Sequence, residues 1–217
     1  STRTFQNKDL TKKDIRKILN QIDSHKEMKG PYDHSFELTF SLTDTTESKG
    51  QKIGTYGVLK NAPAFIGGIC ENEFKTIIDF GYVFEHLILN LTKYDLGTCW
   101  LGGTFKRQHY RKGLNENEII PAISPVGYKA SKRRLIERLI RKAAQSPTRL
   151  PFSVLFKNYY DLTNLEFDLN NPIISALELV RRGPSASNKQ PWRAYVEENI
   201  IHFYRLLIVN KLCMIFI

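Results

Sequence analysis

Two stretches of this 217-residue chain carry residue types that could hold a flat, polar ligand. Residues 181–193 read Arg-Arg-Gly-Pro-Ser-Ala-Ser-Asn-Lys-Gln-Pro-Trp-Arg. The small residues Ser185, Ala186, Ser187 and Asn188 let a backbone come close to such a ligand, and their hydroxyl and amide groups can bond its polar edge. Pro191 and Trp192 add a rigid, apolar shoulder. Residues 98–103 read Thr-Cys-Trp-Leu-Gly-Gly, and two adjacent glycines leave backbone N–H groups facing a ligand with no side chain between. By composition alone these are a helix-to-strand and a helix-to-turn connection. Cys99 has no histidine motif beside it and reads as packing rather than as a nucleophile. The five histidines are scattered without ligand spacing, so no metal site and no catalytic side chain is assigned. His86, within an apolar helical pattern, reads as a packed, hydrogen-bonded residue.

Several elements must position these stretches. Ile174, Leu177 and Val180 recur at helical spacing before the first stretch, after a start at Asn170, Asn171 and Pro172. Gly183 and Pro184 stop that helix, Gly by tolerating left-handed dihedrals and Pro by lacking an N–H. Residues 192–197 and 200–204 form a hairpin around Glu198 and Asn199. Near the beginning, residues 11–26 form a helix capped by Thr11, with Asp14 in its first turn and Ile15, Ile18, Leu19 and Ile22 on one face. Residues 35–42 alternate as a half-buried strand, 44–52 form a polar loop, and 64–70 a buried strand. Residues 74–94 give the longest helical pattern, with Ile77, Phe80, Phe84, Leu87, Ile88 and Leu91 facing the core, and Gly97 ends it. Residues 122–128 are a further strand.

Hydrophobic residues make up 41% of the chain and charged residues 25%, a globular balance with enough length for one sizeable core or two small packed halves. The formal net charge of +10 suits nucleic acid, a membrane surface or an anionic small molecule. The basic segment 129–142 lacks the interleaved aromatic residues that nucleic-acid binding wants, and no apolar run approaches a membrane span. Neither nucleic acid nor membrane is therefore an expected partner. Cys70, Cys99 and Cys213 have no pairing logic and fit a reducing, cytoplasmic setting.

The spelling of the first stretch is more specific than its composition. Residues 184–192 resemble the Pro-Ser-x-x-Asn-x-Gln-Pro-Trp signature of the nitroreductase family. Asp79-Phe80-Gly81, the following helix and the Gly-Thr-Cys-Trp-Leu-Gly-Gly block look like the corresponding part of that family. So does the strand ending Val126-Gly127-Tyr128. Ser1-Thr2-Arg3-Thr4-Phe5 resembles the latter part of the family's basic opening, without the two basic residues that normally precede its serine. The resemblance implies an α+β, nitroreductase-like fold, a central, mostly antiparallel sheet flanked by helices. It implies an FMN-dependent oxidoreductase that takes hydride from NAD(P)H and passes it to a small electron-poor acceptor, such as a nitroaromatic or quinone. Ser1 and Arg3 would hold the flavin phosphate, with Arg149 as the first choice for a further basic contact and Arg133 as the second. Leu101, Gly102 and Gly103 would present backbone to the ring near N5. Pro184, Ser185, Ala186, Ser187 and Asn188 would border the ring and ribityl chain.

In most nitroreductases the Pro-Ser-x-x-Asn motif lies early, whereas here it is late. That order resembles a rearranged branch of the family, from thermophiles, with two nitroreductase-like halves in tandem. It divides the chain into a first half at 1–128, a basic helix and connector at 129–171, and a second half at 172–217. Such a chain would be a monomer, as a pseudo-dimer of halves, or a homodimer. The apolar, aperiodic tail after Tyr204 lacks the branch's next helix and predicts a chain cut short or shifted in frame near Arg205. Two other readings stay open at this point: a flavin-binding sensor or storage protein without turnover, and a basic nucleic-acid-binding protein.

Overall fold

The computed structural model describes residues 1–43, 59–103, 105, 113–132 and 134–206. The loop expected at 44–52, Arg133 and most of the apolar tail lie outside them. The chain divides into two compact units, Ser1–Arg138 in the first and Leu139 onward in the second.

The first unit begins with α1, Lys12–Lys26, whose Thr11 cap accepts from the Asp14 N–H at 3.1 Å. The Thr11 and Tyr128 hydroxyls both donate to the Asp14 carboxylate and hold its pKa down at about 2. A cap that satisfies an orphan N–H and a negative charge at the helix start both favour this boundary. β1, Glu37–Leu42, pairs antiparallel with β2, Ala64–Glu71. β2 pairs antiparallel with β5, Ile123–Tyr128, and β5 with β3, Leu96–Thr98. The short β4, Glu118–Ile119, joins the far end of β2. The sheet order is β1-β2-β5-β3, antiparallel throughout, as expected for the fold class.

α2, Phe74–Thr92, buries Phe80, Val83, Phe84, Leu87, Ile88 and Leu91 against β2 and β3. These side chains meet Ile18 and Ile22 of α1 and Ala64, Ile66 and Val126 of the sheet in one cluster. Gly68 is required here, because a Cβ would stand 2.5 Å from the Phe80 ring and 2.7 Å from the Glu37 carbonyl. Asp79, fully buried on the same helix, accepts from the Tyr32 and His34 N–H groups, each at 2.8 Å, and so fastens the loop before β1. Gly97 does not end α2. The helix closes at Lys93, the chain reverses at Asp95 (φ 59°), and Gly97 lies inside β3. Its missing Cβ leaves room for the Thr2 side chain, which an added atom would meet at 2.8 Å.

The unit boundary falls within α3, Leu135–Ala143. The second unit contains α4, Phe152–Leu155, β6, Phe156–Asn158, α5, Pro172–Arg182, and the hairpin β7, Trp192–Glu197, and β8, Ile200–Arg205. β6 and β7 run parallel and β7 and β8 antiparallel. The core is Leu155, Phe156, Leu177, Trp192, Ala194 and Val196. α5 starts as its sequence predicts: Pro172 opens it, and the Asn171 side chain accepts from the Ile173 N–H at 2.9 Å.

Candidate cofactor site

In the second unit, α5 delivers the chain into the Pro184–Trp192 stretch. Its inner face carries Ile174, Leu177 and the buried Glu178. Glu178 accepts from Arg181 Nε at 2.6 Å and Nη2 at 2.8 Å, and from Arg182 Nε at 2.7 Å. The bonds from Arg181 do most to hold the Glu178 carboxyl down at about 2, against a raising effect of burial. Gly183 caps α5 by donating its N–H to the Leu179 and Val180 carbonyls, but at φ −52° and ψ 149°. The left-handed conformation expected at Gly183 appears further on, at Ser187 (φ 51°), Asn188 (φ 55°) and Gln190 (φ 46°).

Non-glycine residues at positive φ hold only where their surroundings over-determine them. Here side chains do so. Asn188 Nδ2 donates to the Gln145 carbonyl at 2.9 Å and the Thr148 carbonyl at 3.1 Å, while its Oδ1 accepts from Arg149 Nη1 at 3.1 Å. Gln190, 4% exposed, accepts the Leu150 N–H on Oε1 at 2.8 Å and donates from Nε2 to the Asn188 carbonyl at 3.3 Å. Its own N–H donates to Ser185 Oγ at 2.9 Å. The Asn188 amide is thus engaged on both ends by the 145–149 turn. Pro184, Ala186, Ser187 and Lys189 are the exposed members of the stretch.

Arg149, expected to meet a phosphate, is the centre of this brace. Nε and Nη2 donate to the Arg182 carbonyl at 3.2 and 3.0 Å, the last carbonyl of α5. Nη1 donates to Ser146 O at 2.9 Å, Thr148 O at 2.8 Å and Asn188 Oδ1. A cation suits a helix C-terminus, and a guanidinium fork can tie several carbonyls at once. Arg149 therefore joins the 145–150 turn to the end of α5 and to Asn188.

In the first unit, the glycine pair is held differently. Leu101 exchanges both backbone bonds with Ile123, at 2.9 and 3.0 Å, so its N–H is engaged by the sheet. Its side chain is 3% exposed and packs in the core. Trp100 donates from Nε1 to Glu85 Oε2 at 2.5 Å and meets the Phe84 ring edge-on at 4.7 Å. Burial pushes the Glu85 carboxyl up, and the Trp100 bond opposes that. Gly103 is exposed, and a Cβ added there would meet nothing within 4 Å. Cys99 is 4% exposed and burial pushes its thiol up, as befits a packing residue.

The Thr2 N–H donates to the Thr98 carbonyl at 2.7 Å and the Lys60 N–H to the Arg3 carbonyl at 3.0 Å, which fastens the N-terminal residues to the unit. Arg3 Nε is buried and has no hydrogen-bond acceptor. A cavity of ≈ 550 Å³ opens beside Ser1 and Thr2, with Lys129, Lys132 and Arg138 in its lining. The buried Glu137 at its wall accepts from Thr4 Oγ1 at 2.8 Å. Lys132 and Arg138 were legible as part of a basic face; Lys129 adds to it because β5 ends there. Among the described residues no group of three or more His, Cys, Asp and Glu is arranged to hold a metal ion, and no helix is long and apolar enough to cross a membrane.

A family model described as "Putative TM nitroreductase" matches residues 1–215. The chain belongs to this nitroreductase family. A crystal structure from Thermotoga maritima, described as a putative nitroreductase, matches with a TM-score of 0.58 at 18% identity, covering 94% of this chain and 71% of its own. A nitroreductase-family structure from Clostridium difficile 630 matches at 21% identity and a TM-score of 0.49, over 71% of this chain and 90% of its own. A nitroreductase with bound FMN from Desulfitobacterium hafniense matches at 12% identity and a TM-score of 0.48, over 61% and 86%. No curated protein matches the chain. Asn188 and Gln190 act in this chain as braces of the loop they belong to. The sequence signalled Gln190 by its place in the signature, but its two-sided bonding to Leu150 and Asn188 needed the fold.

Proposed function

We propose that the chain is an FMN-dependent oxidoreductase that draws hydride from NAD(P)H and delivers it to an electron-poor small molecule such as a nitroaromatic or quinone. The observation that carries this reading is the Pro184–Trp192 segment. Its signature residues are locked by Arg149 and Gln190 into three left-handed positions, and its small residues Ala186 and Ser187 face outward. A loop strained in this way is a recurrent mark of a ligand clamp. The buried Arg3 Nε, which lacks an acceptor, and the cavity lined by Lys129, Lys132 and Arg138 are two features of the first unit that suit a phosphate, which wants charge-assisted donors in a partly desolvated place. These residues fit FMN.

When bound, FMN supplies the redox chemistry, so the chain needs no acid–base pair of its own. Its residues then have three tasks. Arg3 and Ser1, with Lys129 and Lys132 in support, hold the phosphate. Gly102 and Gly103 offer backbone at a place where no Cβ intervenes, and Ser185, Ala186 and Ser187 border the ring and its ribityl chain.

The test is steady-state turnover of the FMN-loaded chain with NADH or NADPH against menadione and a nitrofuran. Parallel double-reciprocal lines, the sign of a donor that leaves before the acceptor enters, support the reading. A flavin-loaded protein that consumes neither nucleotide would leave flavin binding without turnover.

A further inference from the structure

Away from both stretches, α1 and α2 bring two histidines together. His25 Nε2, in the last turn of α1, lies 3.1 Å from His86 Nδ1 on α2. Asn90, one turn after His86, places its side-chain amide nitrogen 3.3 Å from His25 Nε2 and 3.4 Å from His86 Nδ1. Three polar nitrogens therefore lie within 3.1–3.4 Å of one another between the helices. His25 is 4% exposed, whereas His86 is exposed and opens the cluster to solvent.

The protonation of His25 follows from its surroundings. Its Nδ1 stands 2.6 Å from the Gln21 carbonyl, which can only accept. Nδ1 therefore carries the proton, and Nε2 turns a lone pair toward His86. A backbone carbonyl behind one imidazole nitrogen, with the lone pair of the other turned toward neighbouring donor atoms, is the arrangement that orients metal-binding histidines. The spacing agrees. Imidazole nitrogens bind Zn²⁺ at about 2.0–2.1 Å, so two neighbouring corners of a tetrahedral site lie roughly 3.3–3.4 Å apart. A half-turn of the Asn90 amide exchanges its nitrogen for Oδ1 and gives a third oxygen donor at nearly the same distances.

We propose that His25, His86 and Asn90 form a site for a borderline divalent transition-metal ion, which clasps α1 to α2 with water in the remaining position. Imidazole and amide oxygen suit Zn²⁺, Cu²⁺ and Ni²⁺ rather than Mg²⁺ or Ca²⁺. This site is independent of flavin binding.

The experiment uses the full, untagged chain stripped with chelator, then titrated with ZnCl₂ and with CuCl₂ by calorimetry. One equivalent should bind, Cu²⁺ more tightly than Zn²⁺. At about a hundredfold excess over the dissociation constant, Zn²⁺ should raise the melting temperature by roughly 5–10 °C. Because His25 is buried, His25→Gln could fail to fold, so the exposed His86→Gln is the deciding variant. It should melt unchanged in chelator and lose at least tenfold in affinity. The Cu²⁺ spin-resonance spectrum should show two imidazole nitrogens in the unaltered chain and one in His86→Gln. No binding, or equal binding by His86→Gln with an unchanged spectrum, would overturn the site and, in the second case, place the ion at another histidine.

Discussion

The two stretches that carry the nitroreductase signature are held by different means. In the second unit, Pro184–Trp192 is pinned by side chains: Arg149, Asn188 and Gln190 bond carbonyls and N–H groups of the 145–150 turn and of α5. In the first unit, the stretch before Gly102 and Gly103 is pinned mainly by the sheet, through the Leu101–Ile123 exchange, with side-chain bonds from Trp100 to Glu85 and from the Cys99 N–H to Ser124 Oγ. A loop fixed by side chains writes its requirements into residue identity. A loop fixed by backbone pairing leaves residue identity largely open. That difference explains why the later stretch is spelled so specifically and the earlier one mainly by its glycines.

The contrast predicts unequal responses to mutation. Trp100 and Trp192 place one tryptophan in each unit, so a Trp100→Phe background leaves Trp192 to report the second unit's unfolding. Arg149→Ala removes bonds to four acceptors and should destabilise the second unit by about 2–4 kcal/mol in urea unfolding read at Trp192. A loss under 1 kcal/mol would mean that the loop stands without its brace. Gln190→Leu strands the Leu150 N–H and should cost about 1–3 kcal/mol by the same assay.

Acid separates the units further. Glu178 is held down at about 2 by Arg181 and Arg182, so its folded pKa is below its unfolded one. Its contribution is complete at neutral pH and is lost as pH falls from the ordinary carboxylate value toward 2. The stability difference between the unaltered chain and Glu178→Gln should be about 1–2 kcal/mol at pH 7 and vanish near pH 2. Glu85 is shifted the other way, upward by burial. Its contribution is present at low pH and is lost as pH rises through the ordinary carboxylate value to its raised one. Glu85→Gln keeps an acceptor for Trp100 and should change stability by less than about 0.5 kcal/mol at pH 7, whereas Glu85→Ala leaves the indole N–H unpaired and should cost about 1 kcal/mol. Equal losses for the two variants would show that the Trp100 bond does not hold the first stretch. A change of opposite sign is expected at Ser187→Gly, which relieves a left-handed serine and should stabilise the second unit by up to about 1 kcal/mol.

The sequence showed the elements well where periodicity was strong. α1, α2, α5 and the last hairpin fall within a few residues of their expected bounds. Glycine was less informative. Gly97 and Gly183 were both read as ending helices, Gly183 through left-handed dihedrals, yet neither adopts positive φ; Gly97 is small to admit Thr2, and the strain lies at Ser187, Asn188 and Gln190. The site was legible as a list of residues but not as a division of labour. Arg149 looked like a ligand contact because its charge is visible in sequence, whereas the carbonyls it faces are supplied by every residue alike. His25 and His86 are 61 positions apart, and only the packing of α1 on α2 makes them neighbours. The expected tandem halves and the apolar tail's break near Arg205 concern relations beyond the described residues, although β8 runs through Arg205.

The central claim is that the braced Pro184–Trp192 loop belongs to an FMN site. Its most direct test is the visible absorption spectrum of the purified chain after incubation with FMN and passage through a desalting column, run beside Arg149→Ala. The account predicts retained flavin bands at one equivalent in the unaltered chain and their loss, or a weakening of at least tenfold, in the variant. A folded but colourless unaltered chain would contradict it.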